Sequence, residues 1–572
     1  MAEPVPNGGG TLRQCAAVLI AVALVFCAVA GAWLGAHALH EKSVRPANHK
    51  ALVKLQDAAA RHPRDEELKE AYRTLDVEIR TEAERVQAFR RRGVRVLGGG
   101  LLVLLLAAAA WVHSSPTGLG LPGADLPDEA SERAVRRWGM VAGIVALAIF
   151  SCVILWPRDD GGTSGKKDNG DKVAVDPGPP PSFADAKGQW PAFRGVGAVG
   201  LADSSMTPPL TWDGKAGTNI AWKVKTPRHG FSSPILWDGK LFITGGDQES
   251  RDIYCYDAGA GTLLWTADSA NILGSPAELP EVSEDTGFAA ACPTTDGQRV
   301  YAIYATGDVL AVDFSGKRIW GRNLGPPNNP YGHASSLVVH RGRLLVQYDH
   351  FDESRLIALA ATTGETLWEK KREVGASWGT PALATVGKRT EVYLNAEPFV
   401  MAFDAETGNK LWQNECMGGE VGPSPAYADG LAYFTTDYAM LAAIHTGGTD
   451  KDGTIAWQTE DELPDVSSPV AANGLVFVST AAGIVSCYDA KTGKLHWRQE
   501  YEEGFYSSPV IAAGRVYLTD QKGLTHVFAA TKEFKSLAKN QLGEPAVSTF
   551  AFRGKRAYLR GFLHLYCLVG KE

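Results

Sequence analysis

Hydrophobic and polar residues follow three different rhythms along this chain. Residues 15–34, 96–112 and 139–156 carry no charge, and runs of that length cross a bilayer as helices. Trp33, Trp111, Trp138 and Trp156 stand at their ends, where indole prefers the membrane interface. The pattern predicts a membrane region over 1–156, with transmembrane helices at about 15–34, 95–113 and 138–156. The first run lacks the charged leader and small-residue cleavage site of a signal peptide. Between the first two runs, Leu68, Tyr72, Leu75, Ile79, Val86 and Phe89 advance in steps of four and three, with Glu82 interrupting the stripe. Acidic residues after Pro63 and Arg90 to Arg92 before Gly93 bound an amphipathic helix over 65–92. It packs on its own neighbours or pairs with a second copy in a homo-oligomer. Residues 157–189 are Gly, Pro, Asp and Lys with few large apolar side chains, the composition of a disordered linker.

From residue 190 the rhythm changes to short apolar strands separated by turns. A small-residue opening recurs eight times, at Ser232-Ser233-Pro234, Ala291-Cys292-Pro293, Ala334-Ser335-Ser336, Gly379-Thr380-Pro381, Pro423-Ser424-Pro425, Ser467-Ser468-Pro469, Ser507-Ser508-Pro509 and Val547-Ser548-Thr549. Pairs such as Asp238-Gly239, Asp429-Gly430 and Asn473-Gly474 follow, as two-residue hairpins with positive φ require. A second hairpin is marked by a glycine four residues before a tryptophan: Gly261 and Trp265, Gly316 and Trp320, Gly364 and Trp368, Gly408 and Trp412, Gly453 and Trp457, Gly493 and Trp497. Four strands per unit, repeated eight times, predict an all-β fold over 190–572, an eight-bladed β-propeller with four-stranded blades. The chain ends after a third strand, while Trp222 sits in an unmatched strand at the beginning, so the first strand is expected to complete the last blade. The seven tryptophans, Trp222 to Trp497, are expected to dock between blades. Trp497 closes the best-preserved copy.

Those repeats resemble a family. Cys487 to Trp497 and Val400 to Trp412 are similar to the PQQ-type repeat, with its Ala-x-Asp-x-x-Thr-Gly-x-x-x-Trp docking motif. The likeness covers roughly 190–569 and weakens where Ala360 replaces the Asp, where the turn before Gly453 is longer, and near Lys532 to Leu537, where Gly and Trp are both lost. It implies a propeller of the non-enzymatic branch, similar to the propeller subunit of the outer-membrane barrel-assembly machinery, with no cofactor. The alternative it implies is a quinoprotein dehydrogenase holding PQQ with Ca²⁺. Alcohol-oxidising members carry adjacent cysteines, which this chain lacks, and none of their Ca²⁺-ligand or catalytic Asp motifs matches here.

Composition adds limits. A net charge of -7 gives no nucleic-acid footprint. The eight cysteines show no metal-ligand spacing. Gly195, Gly197 and Gly200 fit a dinucleotide fingerprint in spacing but lack the strand before and the helix after, so Trp190 and Phe193 are expected to strap the propeller face instead.

The innermost strand of a propeller blade lines the axis, so the residues preceding the openings are expected to converge on one funnel rim. These are Arg228, His229, Phe231, Tyr331, His333, Trp378, Glu420, Asp465, Glu503, Phe505, Tyr506 and Glu544. They form a candidate site for a protein or peptide. Glu420, Asp465, Glu503 and Glu544 precede four consecutive blades, so the rim is expected to be acidic and to take a cationic partner, with Arg228 and His229 ending the arc by pairing with Glu544. Location divides two arguments. Basic residues around the first loop place it in the cytoplasm and, after three spans, the propeller too. PQQ-type propellers are usually exported, which puts this one on the periplasmic side of the inner membrane.

Overall fold

In the computed structural model, residues 186–329 and 331–570 are described. The predicted spans, the 65–92 helix and most of the 157–189 linker lie outside the described residues. Among the described residues no helix is long and apolar enough to cross a membrane.

Eight four-stranded antiparallel sheets make up the described region. Blades 1 to 7 span 235–268, 294–323, 338–372, 382–415, 426–459, 470–500 and 510–541, each in simple up-and-down order. Blade 8 takes Ala551–Arg553, Arg556–Arg560 and His564–Val569 from the C-terminus, and its outer strand, Ile220–Lys225, from the opposite end of the propeller sequence. The ring is therefore closed by the unmatched Trp222 strand.

Local chemistry explains each blade. The first hairpin turns on two consecutive positive-φ residues, as at Asp238-Gly239 (φ 44 and 76) and Asn473-Gly474 (φ 52 and 74). Ala513-Gly514 does the same without any side chain that favours the left-handed region. In every blade the pairing of third and fourth strands slips by one residue beside the docking position. Cys255 pairs with Trp265 while Tyr256 pairs with Leu263, and the same slip recurs at Cys487 and Tyr488.

The tryptophans bind blade to blade. Trp222 covers Gly261, Trp265 covers Gly316, Trp320 covers Gly364, Trp368 covers Gly408, Trp412 covers Gly453 and Trp457 covers Gly493, each over the turn of the following blade. A Cβ on Gly493 would come within 2.6 Å of the Trp457 ring, so a larger residue does not fit there. The indole N–H also donates to that turn, from Trp457 to Ala490 O (2.8 Å) and from Trp320 to Ala361 O (3.0 Å). Trp412 is the exception. It faces the lengthened turn before Gly453, and its buried N–H has no acceptor among the described residues.

Trp497 meets a turn without glycine. It donates to Thr531 O (3.1 Å) and leans on Phe534 and Phe528, remaining partly exposed. The best-preserved motif thus ends in one of the less buried indoles, because burial is set by the receiving turn rather than by the donor repeat.

Trp457→Ala should therefore cost about 3 to 5 kcal/mol in chemical denaturation, through lost burial and a residual cavity. Trp497→Ala should cost clearly less. Equal losses would contradict this account of the docking sites.

Candidate functional site

The eight openings meet around the axis in a closed circle of hydrogen bonds. Each donates a backbone N–H to the side chain of the next. Ser233 donates to Cys292 Sγ (3.0 Å), Cys292 to Ser336 Oγ (2.9 Å), Ser336 to Thr380 Oγ1 (2.9 Å) and Thr380 to Ser424 Oγ (2.9 Å). Ser424 donates to Ser468 Oγ (2.9 Å), Ser468 to Ser508 Oγ (3.0 Å), Ser508 to Thr549 Oγ1 (3.0 Å) and Thr549 back to Ser233 Oγ (2.8 Å). A small hydroxyl or thiol is needed at each position because the acceptor must be one bond from Cβ and leave room at the centre. The residues before these openings lie on one side of the circle and form the rim.

Three of the predicted rim residues come together there. Tyr331 packs on Trp378 at 5.3 Å, and its hydroxyl donates to Glu420 Oε2 at 3.0 Å. The Trp378 indole donates to Gly332 O (3.0 Å) and its backbone N–H to Val421 O (2.9 Å). Loops from three successive blade junctions are thus joined into one platform, with Tyr331 40 % exposed.

Beside it stands a pair of carboxylates. Burial, then the charge of Asp465, pushes Asp437 up to about 6. Burial also raises Asp465. Neither Asp437 nor its neighbour Tyr438 was in the sequence-derived set. Both lie between Leu431–Thr435 and Leu441–His445, in a turn that returns to the same rim because the second strand runs antiparallel to the first. Tyr438 is 50 % exposed and lies over Gly419, whose φ of +71 suits glycine. Tyr438 stands three residues after the end of that second strand, in a turn that carries no repeat signal.

The remaining candidates behave differently. Arg228 pairs with Asp247 and Asp252 (3.1 Å) of blade 1, not with Glu544. Glu544 accepts the backbone N–H groups of Leu563 and His564 (both 3.1 Å) and lies 3.3 Å from His564 Nδ1. The expected seam pairing fails because each partner finds a nearer group in its own blade. Glu503 is held by Lys522 at 3.1 Å. On the rim, the acidic groups without a cation partner among the described residues are Glu420, Asp437 and Asp465, a shorter arc than expected.

Phe505 is fully buried against Tyr501 and His526, so it offers no face to a ligand. Tyr506 beside it is half-buried. His229 and Phe231 make an edge-to-face contact at 4.7 Å and both pack on Phe562. His333 is buried against Tyr348, and its Nε2–H donates to Ser335 O at 2.9 Å. Burial lowers it to about 4, so it is neutral at physiological pH.

The strap takes the predicted face. Trp190 pairs with Leu236 and packs edge-on to Phe552, while Leu201 pairs with Ile511. Between them Gly197 lies against Leu383 O, where a Cβ would be 2.6 Å away. The glycines of the apparent dinucleotide motif serve this close passage.

PQQ and Ca²⁺ have no matched ligand set here. Among the described residues no three His, Cys, Asp or Glu side chains gather as a metal-binding group. The described cysteines are single, buried thiols.

The profile of the outer membrane protein assembly factor BamB family matches residues 212–458 and 447–533, more than half of the chain. The chain belongs to this family. BamB of Moranella endobia (strain PCIT) is 27 % identical over 189 residues, which are 30 % of this chain and 46 % of that relative. The match thus spans just under half the length of the curated relative. Among solved structures, quinohemoprotein alcohol dehydrogenase from Comamonas testosteroni aligns with a TM-score of 0.53 at 13 % identity, over 68 % of this chain and 82 % of its own. A europium-containing methanol dehydrogenase aligns at 0.51 and 12 %, over 65 % and 89 %. At such identities the likeness is one of fold alone.

His333 gives this BamB-family propeller a pH signature. An unfolded histidine takes up a proton near 6.5, whereas the folded one resists until about 4. Protonation therefore favours the unfolded chain, and the histidine's contribution is lost as pH falls from about 6.5 toward 4, by about 2 to 3 kcal/mol in full. Urea denaturation at pH 7 and pH 5 should show this loss in the wild type and a smaller one in His333→Gln. Identical slopes would contradict it.

Proposed function

We propose that this protein is an envelope scaffold whose propeller rim binds a basic polypeptide segment. The observation that carries this reading is the platform of Tyr331, Trp378 and Glu420 beside Asp437, Tyr438 and Asp465. Tyr331 is exposed and Trp378 half-buried, and both are held in place by hydrogen bonds, so little of their side-chain freedom is lost on binding. The carboxylates lie close enough for their potentials to reinforce one another, and an incoming ammonium or guanidinium relieves that repulsion. Exposed tyrosines and a half-buried tryptophan next to acidic groups suit both the charge and the apolar stem of Lys or Arg. Membership of the BamB family supports a role in protein assembly over one in oxidation. Segments 15–34, 95–113 and 138–156 supply the anchor in the inner membrane, and the propeller faces the periplasm.

A triple variant, Glu420→Gln, Asp437→Asn, Asp465→Asn, should keep the fold and lose most binding to a Lys/Arg-rich peptide in calorimetry. The wild-type affinity should fall between low and physiological salt. Unchanged affinity in the variant would sink the acidic-rim reading.

Protease added to intact spheroplasts should remove the region after residue 157. Full protection until lysis would place the propeller in the cytoplasm.

A further inference from the structure

The hydroxyls of the central circle have a second valence. Ser233, Ser336, Thr380, Ser424, Ser468, Ser508 and Thr549 each accept one N–H; the hydroxyls of Ser233 and Ser336 bond to Cys292 Sγ, and those of the other five donate to no acceptor among the described residues. Circle members are nearly buried, with 2–4 % exposure each.

Two arginines flank this circle. Arg560 reaches from blade 8 across the seam, donating to Ser232 Oγ (2.9 Å), Thr244 O (2.6 Å) and Arg228 O (3.2 Å). Arg194 comes from the strap at the other side. It donates to Pro425 O (3.1 Å), Val199 O (3.3 Å) and Pro469 O, the two prolines being the residues just beyond circle members Ser424 and Ser468. The strap's contacts with Leu236 at one end and with Leu383 and Ile511 at the other show that it crosses the axis. Both guanidiniums are fully buried, and the Nε–H of each has no acceptor among the described residues.

Neither arginine has a carboxylate partner among the described residues. The buried Arg372, by contrast, is paired with Asp349. Burial lowers Arg194 to about 9 and Arg560 to about 10, so both stay charged at neutral pH. Buried charge without a counter-charge is costly and is ordinarily neutralised by a partner.

We propose that the throat of the propeller is an anion site, in which the circle of hydroxyl donors, with Arg560 on the rim side and Arg194 on the strap side, holds a small monovalent inorganic ion. Donors arranged radially, with no bidentate fork presented, fit a spherical halide better than a planar carboxylate. The ion would offset the buried positive charge and give the seven O–H groups a common acceptor. Of those O–H groups, the five of Thr380, Ser424, Ser468, Ser508 and Thr549 have no other acceptor among the described residues, and the ion would also couple the strap to the blades through charge as well as packing.

The probe is bromide with the full chain. Crystals grown in sodium bromide should show an anomalous peak on the axis at the level of the hydroxyl circle. In solution, melting in sodium bromide should exceed melting in sodium gluconate of equal ionic strength by a few degrees and should saturate with concentration. Arg560→Gln should lose the axial peak and the difference between salts. Wild-type crystals without an axial peak would overturn the proposal, as would a peak that persists unchanged in Arg560→Gln. The wild-type crystal measurement stands even if the variant does not fold.

Discussion

One backbone N–H from each blade, donated to the side chain of its neighbour, makes the propeller a circle rather than an open stack. Eight such bonds close on themselves from Ser233 to Thr549 and back. The geometry constrains much of what surrounds it. Each opening must place a short hydroxyl or thiol at the donor position, and most follow it with proline, which has no N–H of its own to satisfy at the start of the inner strand. The residue before the circle often ties the same opening to its own blade. Ser507 Oγ donates to Thr519 O while Thr519 N–H donates to Ser507 Oγ, and Ser548 and Arg560 repeat the exchange. Each inner segment is thus bonded within its blade and across to the next, which fixes the position of the loops that leave it on the rim side.

That dependence explains why some features could be read from sequence and others could not. The openings, the Asx-Gly turns and the Gly–Trp spacing are legible because each answers a local requirement: positive φ, absence of a Cβ, a hydroxyl one bond from the backbone. Blade count and the exchange of the first strand followed from them. Pairing at the rim is different. Whether Arg228 meets Glu544 or Asp247 depends on which carboxylate the folded chain brings nearer, and residues 19 apart won over residues hundreds apart. Tyr438 escaped notice because the second-strand turn carries no repeat signal. Phe505 looked like a rim residue by position, but its side chain turns into the core between blades. Sequence equivalence locates a backbone; it does not orient a side chain.

The strap shows how a motif can be legible in spacing and misleading in chemistry. Gly195, Gly197 and Gly200 all have positive φ, and so do Arg194 and Ala198, which lack glycine's freedom. Five left-handed residues in seven do not arise from local preference. They are held by tertiary contacts: the Trp190 ring under Gly195, Leu383 O against Gly197, Val470 against Gly200.

The same contacts divide the propeller into two unlike faces. Strap residues touch the inner strands themselves, at Leu236, Leu383 and Ile511, whereas Tyr331, Trp378 and Glu420 lie before those strands begin. On the strap face Arg194 ties the strap to the openings of two blades through Pro425 O and Pro469 O. Among the described residues no strap lies on the opposite mouth, and its loops are anchored to one another. A ligand approaching that mouth therefore meets a preformed surface, so recognition falls to the rim side chains.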